Sequence, residues 1–490
     1  MRFIKIHPSD NVAVALEDLK AGENVSVVLA EDVGRGHKFA LRDIASGENV
    51  VKYGMPIGTA KQAIPVGTKV HTHNVKTRLA GVLDYHYEPD LSHAPHNGRE
   101  DFFEGFRRAD GRVGIRNHIW IVPTVGCVNT LAENLAKAVN RTLPDGSVER
   151  VLALTHPYGC SQLGKDHELT RRILADFVKH PNAGGVLVVG LGCENNTVAG
   201  FRELLGKYDE QRIKFVVAQE ETDEFGRGME LLKELIQTAR NDKREKIPVS
   251  ELIVGLKCGG SDGLSGITAN ALVGRFSDRL TASGGTTVLS EVPEMFGAET
   301  LLMNRCMDRA VFDKCVAMIN DFKNYFTRYG QVIYENPSPG NKDGGITTLE
   351  DKSLGCTQKG GSASVVDVLA MGECVHKKGL NLLNGPGNDM VATTLLSAAG
   401  AHMVLFTTGR GTPFGGVVPT LKIASNSALA EKKPHWIDFD AGQLTDSAKN
   451  PDEIDEDFYT LVLETASGKN AKNEIHFYEE IAIFKDGVTL

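Results

Sequence analysis

Four cysteines, Cys127, Cys160, Cys193 and Cys258, each follow an apolar run with strand character: IVPTVG, THPYG, VVGLG and IVGLK. A thiol that closes a parallel strand is delivered to the carboxyl edge of the sheet, where open α/β sheets place their ligands. Flanking glycines allow close approach of the backbone. Polar residues gather at the same ends: His156, Ser161, Gln162, Glu194, Asn195, Glu220, Glu221, Ser261, Asp262, Glu291 and Glu294. A small buried thiol is an ordinary packing residue, but four at one topological position point to a site. The thiols could hold iron as thiolates, singly or as an iron–sulfur cluster, or one could be catalytic while the others pack. His156, Glu194, Lys257 and Glu291 are the candidates for moving protons.

Three further constellations could join them. HTHN, residues 71–74, reads as a strand that places His71 and His73 on one face, since side chains alternate there. Two imidazoles suit Fe, Mn or Zn, and His37 in GRGHKFA could add a third or, with Asn74, touch substrate. NGPGNDMVATT sets Asn388 or Asp389 as a helix cap, whose free N–H groups can take a carboxylate. Arg410 in TTGRGTPFGG follows a strand and can hold a carboxylate bidentately. A dinucleotide fingerprint fails, because GLGCEN has Asn195 where its third glycine belongs.

The elements that must position these residues alternate in type. Residues 1–90 are short β-type runs (NVSVVLAEDV, HKFALRDI, NVVKYG, KVHTHNV) broken by Gly and Pro, which indicates a small β-rich domain. The polar stretch 87–101 reads as a linker, bounded at 91–105. From 106 to 340 strands and helices alternate, from HIWIVPTVGC through VLVVGLGC and ELIVGLKCGGSDG to TTVLSEVPE, so an α/β body with a mostly parallel sheet is expected. A loop at 335–347 marks a boundary, and 341–490 reads as a further α/β unit whose place in the sheet the sequence leaves open.

Composition narrows the classes. With 54 basic and 63 acidic residues the formal charge is −9, and no basic stripe appears, which argues against nucleic acid. No membrane span or secretory signal is legible, so a cytoplasmic chain with reduced cysteines is expected. The sequence leaves room for a homo-oligomer.

Taken together and in order, IKIHPSDNVAVAL, GHKFALRDI, VKYGMPIG, HTHN, GRVGIRNHIWIVPTVGCVN, THPYGCSQLG, GLGCEN, KCGGSDGLSGITAN, EVPEMFGAE, GCTQKGG and NGPGNDMVATT resemble the altronate/galactarate dehydratase family, nearly end to end. HTHN resembles the altronate branch. The resemblance implies an N-terminal SAF-type β domain, a dehydratase body, Fe(II) or Mn(II), and conversion of the sugar acid D-altronate to 2-dehydro-3-deoxy-D-gluconate. Elimination of water from such an acid needs a base for the C2 proton, an acid for the C3 hydroxyl and a cation for the carboxylate. Galactarate or another 2-hydroxy acid is the alternative substrate, and a non-catalytic iron or redox sensor is the alternative class.

Overall fold

The computed structural model describes residues 2–92, 94, 98–143 and 146–490. Part of the expected linker, residues 93 and 95–97, lies outside the described residues.

The N-terminal β domain is two small antiparallel sheets. Phe3–Ile4, Val12–Ala15, Lys38–Ala40 and Lys69–Val70 form one, and Asn49–Lys52, Met55–Ala60 and Val75–Lys76 the other. Val12, Ala40, Val50, Ile57, Ile64 and Val70 pack between them. The run NVSVVLAEDV is not a strand; it is a set of turns closed by bridges between Leu19 and Val33 and between Asn24 and Val28.

The body holds two parallel sheets rather than one. The first has four strands, ordered Val151–Ala153, His118–Pro123, Ala183–Gly190, Ile213–Val217. Alternate residues of His118–Pro123 serve opposite faces: Ile119 and Ile121 pack with Leu135 and Leu232, while Trp120 and Val122 pack with Ile173 and Phe177. Both faces are covered by helices, which is why these strands read as continuous apolar runs.

The second sheet has seven strands, ordered Val365–Leu369, Gly379–Leu383, Thr286–Leu289, Ile253–Cys258, Met403–Thr408, Thr420–Ala424, Phe439–Asp440, all parallel. Strands from both sides of the expected 340–341 division therefore share one sheet, and the break in the body falls between Ile213–Val217 and Ile253–Cys258.

Helix Gly164–Val178 sets the relative direction of the two sheets. Midway along it, Leu169 and Arg172 lie against Gly372, just past the carboxyl end of Val365–Leu369. Just past its end, His180 Nε2 meets the Ala401 carbonyl at 3.2 Å, just before Met403–Thr408 begins. Both carboxyl edges consequently face the same side of the molecule.

Candidate active site

At the carboxyl end of Ile253–Cys258 the chain runs through Gly259–Gly263, and three other segments close on that loop. A β-carbon on Gly259 would lie 2.6 Å from Asp389 Oδ2, and one on Gly260 3.3 Å from Arg410 Cβ. A β-carbon on Gly263 would overlap the carbonyl oxygen of Gly36, from the β domain. The KCGGSDG motif is glycine-rich because these segments leave no space for side chains. They line up Asp389, Arg410 and His37 along one seam between β domain and body.

Buried charge holds the β domain there. Lys38 Nζ donates to the Gly345 carbonyl at 2.7 Å and to Asp351 at 2.8 Å, while Lys52 donates to the other Asp351 oxygen at 3.0 Å. Burial works against the Asp351 carboxylate, but the two ammonium groups hold its pKa well below the usual range. Burial, with Lys52 nearby, brings Lys38 down to about 8.

His37 and His71 sit half-buried at this seam with ring centroids 5.4 Å apart. Burial, then the charge of Lys69, lowers His37; burial, then Lys38, brings His71 down to about 4. Both are neutral at pH 7. Their Nδ1 atoms face the Arg35 carbonyl and the Thr347 hydroxyl, and their Nε2 atoms make no hydrogen bond with a described residue. HTHN itself is a turn and not a strand, because Asn74 Oδ1 accepts from the His71 N–H while its Nδ2 donates to the Lys69 carbonyl. His73 is exposed on that turn and does not share a face with His71. Asn74 is buried in the turn's own bonds.

Beneath the seam lies a dense polar core. Lys257 contacts Glu291 and reaches Asp389 at 2.9 Å. Burial opposes its charge, yet Glu291, Asp389 and Glu294 outweigh burial and keep it protonated. Burial and Glu294 push Glu291 up, opposed by Lys257 and Lys359. Glu291 also has a left-handed backbone, φ 72°, a conformation a non-glycine residue holds only under constraint. Cys258 Sγ lies 3.0 Å from Glu294 Oε2 and 3.3 Å from Cys356 Sγ, and Lys359 Nζ donates to Cys258 Sγ at 3.0 Å. Lys352 donates to Glu294 Oε1 at 2.7 Å. Cys258, Glu294 and Cys356 offer ligand atoms all within 4.8 Å of one another. All three are buried, and ammonium groups already bond Cys258 Sγ and Glu294 Oε1, so an ion held here would sit in the core and compete with Lys359. Cys356, Lys352 and Lys359 were not among the expected site residues; the signal available was GCTQKGG, a thiol and a lysine one helical turn apart.

The other expected residues lie on the four-stranded sheet. Cys127, Cys160 and Cys193 are exposed at its carboxyl edge, whereas Cys258 belongs to the other sheet, so the four do not form one site. His156 is buried with Nε2 at 2.9 Å from the Pro123 carbonyl and Nδ1 accepting from the Tyr158 N–H. Glu194 accepts from Thr124 Oγ1 at 2.6 Å and from the N–H groups of Leu191 and Gly192. Those donors outweigh burial and lower its pKa. Both side chains are committed to backbone and loop structure. On the seam, Asn388 caps helix Asp389–Ala398 by accepting from the Val391 N–H, and Arg410 is exposed without an ion pair to a described residue.

Comparison with known proteins covers the whole chain. The family described as altronate/galactarate dehydratase SAF domain matches residues 1–78. D-galactarate dehydratase/altronate hydrolase, second domain, matches 105–240, and D-galactarate/altronate dehydratase, C-terminal, matches 249–489. A protein named altronate dehydratase from Escherichia coli (strain K12) is 58% identical over 100% of both chains. One of the same name from Bacillus subtilis (strain 168) is 54% identical over 100% of this chain and 99% of its own. A galactarate dehydratase (L-threo-forming) from E. coli K12 is 34% identical over 98% of this chain and 96% of its own.

Proposed function

The chain belongs to the altronate/galactarate dehydratase family, and from that premise we propose that it removes water from D-altronate to give 2-dehydro-3-deoxy-D-gluconate. It is a hydro-lyase, which leaves the sensor reading without support. The observation that carries the substrate is full-length identity of 58% and 54% to two proteins named altronate dehydratase, against 34% to one named for galactarate.

The seam supplies the groups the reaction needs. Arg410, without an ion pair to a described residue and next to the Gly259–Gly263 loop, receives the substrate carboxylate. His71, neutral at working pH, takes the C2 proton on its free Nε2 and returns one to the departing C3 hydroxyl. Lys257 is a positioning residue, since its charge is tied to Glu291 and Asp389 and orients Asp389 at the seam. Fe(II) or Mn(II), as the family resemblance implies, would take the free Nε2 of His37, with substrate oxygens as further ligands, which leaves the Nε2 of His71 to the proton. When bound, such an ion would stabilise the carboxylate as C2 loses its proton. The free thiols suit a cytoplasmic setting.

The test is a keto-deoxy acid assay with D-altronate and galactarate, run anaerobically with Fe(II) or Mn(II). Altronate should be turned over with the higher kcat/KM, and Arg410→Ala should raise KM for it by roughly 10- to 100-fold. Preference for galactarate would move the chain to the other branch.

A further inference from the structure

The carboxyl edge of the four-stranded sheet has no part in the proposed chemistry, yet it is built with care. Three adjacent parallel strands, Val151–Ala153, His118–Pro123 and Ala183–Gly190, lead to three Gly–Cys pairs: Gly159–Cys160, Gly126–Cys127 and Gly192–Cys193. The loops brace one another. Gly126 N–H donates to the Tyr158 carbonyl at 2.8 Å, Asn129 Nδ2 to the His156 carbonyl at 2.9 Å, Asn196 N–H to the Gly159 carbonyl at 2.9 Å, and Asn196 Nδ2 to the Thr124 carbonyl at 3.1 Å. Ser161 N–H donates to Asn195 Oδ1 at 2.8 Å, with Ser161 held at a left-handed φ of 59°. A β-carbon on Gly159 would overlap the Thr124 carbonyl oxygen.

The side-chain amides of Asn129, Asn195 and Asn196 hold the loops, with Asn196 Oδ1 left buried without a partner among the described residues. What remains is three exposed thiols, with Gln219 Nε2 3.5 Å from Cys193 Sγ and Ser161 Oγ 3.9 Å from Cys160 Sγ. The N–H groups of Cys160 and Cys193 likewise find no acceptor among the described residues. A rigid cradle that presents three thiols and free amide donors matches what a cluster of iron and sulfide takes, thiolates on iron and N–H groups toward the sulfurs.

Distance argues against a single ion. A single tetrahedral ion about 2.3 Å from each sulfur would need the sulfurs within about 4 Å of one another. The three sulfurs are not all within 4.8 Å of one another. A cluster spreads its irons over a wider frame and accepts thiolates that are farther apart. We propose that Cys127, Cys160 and Cys193 bind an iron–sulfur cluster of the [4Fe–4S] type, leaving one iron without a protein ligand. The assignment does not rest on the substrate proposed above.

The experiment uses full-length protein reconstituted anaerobically with iron and sulfide, then measured for iron, acid-labile sulfide, visible absorption and the paramagnetic signal after reduction. Roughly four irons and four sulfides per chain are expected. Cys127→Ser, Cys160→Ser and Cys193→Ser should each lower both counts by more than half, while Cys374→Ser, exposed elsewhere, should change neither. If the serine variants do not fold, alkylation and peptide mapping of the wild-type chain gives the answer: the three thiols should be protected when loaded and modified after the cluster is stripped, with Cys374 modified in both states. Iron without sulfide, counts unchanged in the variants, or equal alkylation of all four thiols with and without loading would overturn the proposal.

Discussion

Two carboxyl edges of parallel sheets face the same side of this molecule, and both end strands on cysteine, yet their chemistry is opposite. On the four-stranded sheet, Glu194, His156, Asn129 and Asn196 bond to loop structure, so the thiols stand bare at the surface. On the seven-stranded sheet the charged side chains bond to each other, as Lys257 with Glu291 and Lys352 with Glu294, Lys359 donates to Cys258 Sγ, and the thiols are buried beneath them. Topology sets where a residue is delivered. What its neighbours bond to decides whether it meets solvent as a ligand or disappears into a charge network.

The comparison breaks most visibly at Lys257. Lys257→Met would leave Glu291 buried without its closest cation, a loss of about 3–5 kcal/mol, which urea unfolding should register together with a collapse of turnover. The corresponding change on the other edge, Glu194→Gln, should be far milder.

Acid should test whether the two sheets stand or fall together, because buried His180 and His402 lie where their amino ends meet. Asn182 Nδ2 donates to the His402 carbonyl at 2.9 Å. Burial, with His402 nearby, brings His180 down to about 3, and burial brings His402 down to about 4. Their folded values lie below the unfolded one near 6.5, so the neutral rings' contribution is complete above about pH 6.5. It is lost as pH falls toward 4, each ring giving up about 1.4 kcal/mol for every pH step of one. Asp176 and Glu479, raised by burial to about 7, and Asp438, raised by burial to about 6, work the other way. The check is therefore a difference: in chemical denaturation between pH 7 and 4.5 the wild-type midpoint should fall more steeply than that of His180→Gln, and parallel profiles would mean the ring protonates freely.

At the seam, His71→Ala should cut turnover about 100-fold or more with a nearly unchanged melting temperature, whereas His73→Ala should leave turnover within about twofold, as for a surface substitution. Equal effects would return both histidines to one role. A local effect is expected from Glu194→Gln, which keeps an acceptor but removes its charge. A cost of about 1–2 kcal/mol should appear as faster hydrogen exchange at Leu191 and Gly192, with turnover of altronate retained.

The strand–helix alternation was legible because strands covered on both faces are apolar throughout. The division into two sheets was not, since strand order depends on which helix faces pack together, and Val186 and Val254 look alike in sequence. The thiols' position at strand ends was readable; the thiol–ammonium–carboxylate core was not, because Cys356 and Lys359 reach Cys258 only through tertiary packing. HTHN misleads for a local reason that was readable: Asn74 can bond back to the backbone three residues earlier, and an asparagine in that place favours a turn over alternation.

The joint between β domain and body has a mechanical side. Thr77 and Arg78 bond Glu350 where the β domain ends, and farther along Tyr85 reaches Glu299, Tyr87 the Cys306 carbonyl and Asp90 the Asn304 carbonyl. The connection from the β domain is therefore a short leash fastened along its length. Even with Thr77 and Arg78 released, the stretch from Lys76 to Tyr85 could pay out no more than about 30 Å. A domain on so short a tether sees its docking surface at an effective concentration on the order of millimolar. Rebinding to its own body then outcompetes capture by a neighbouring copy, and the seam that carries His37 and His71 re-forms in register each time it opens.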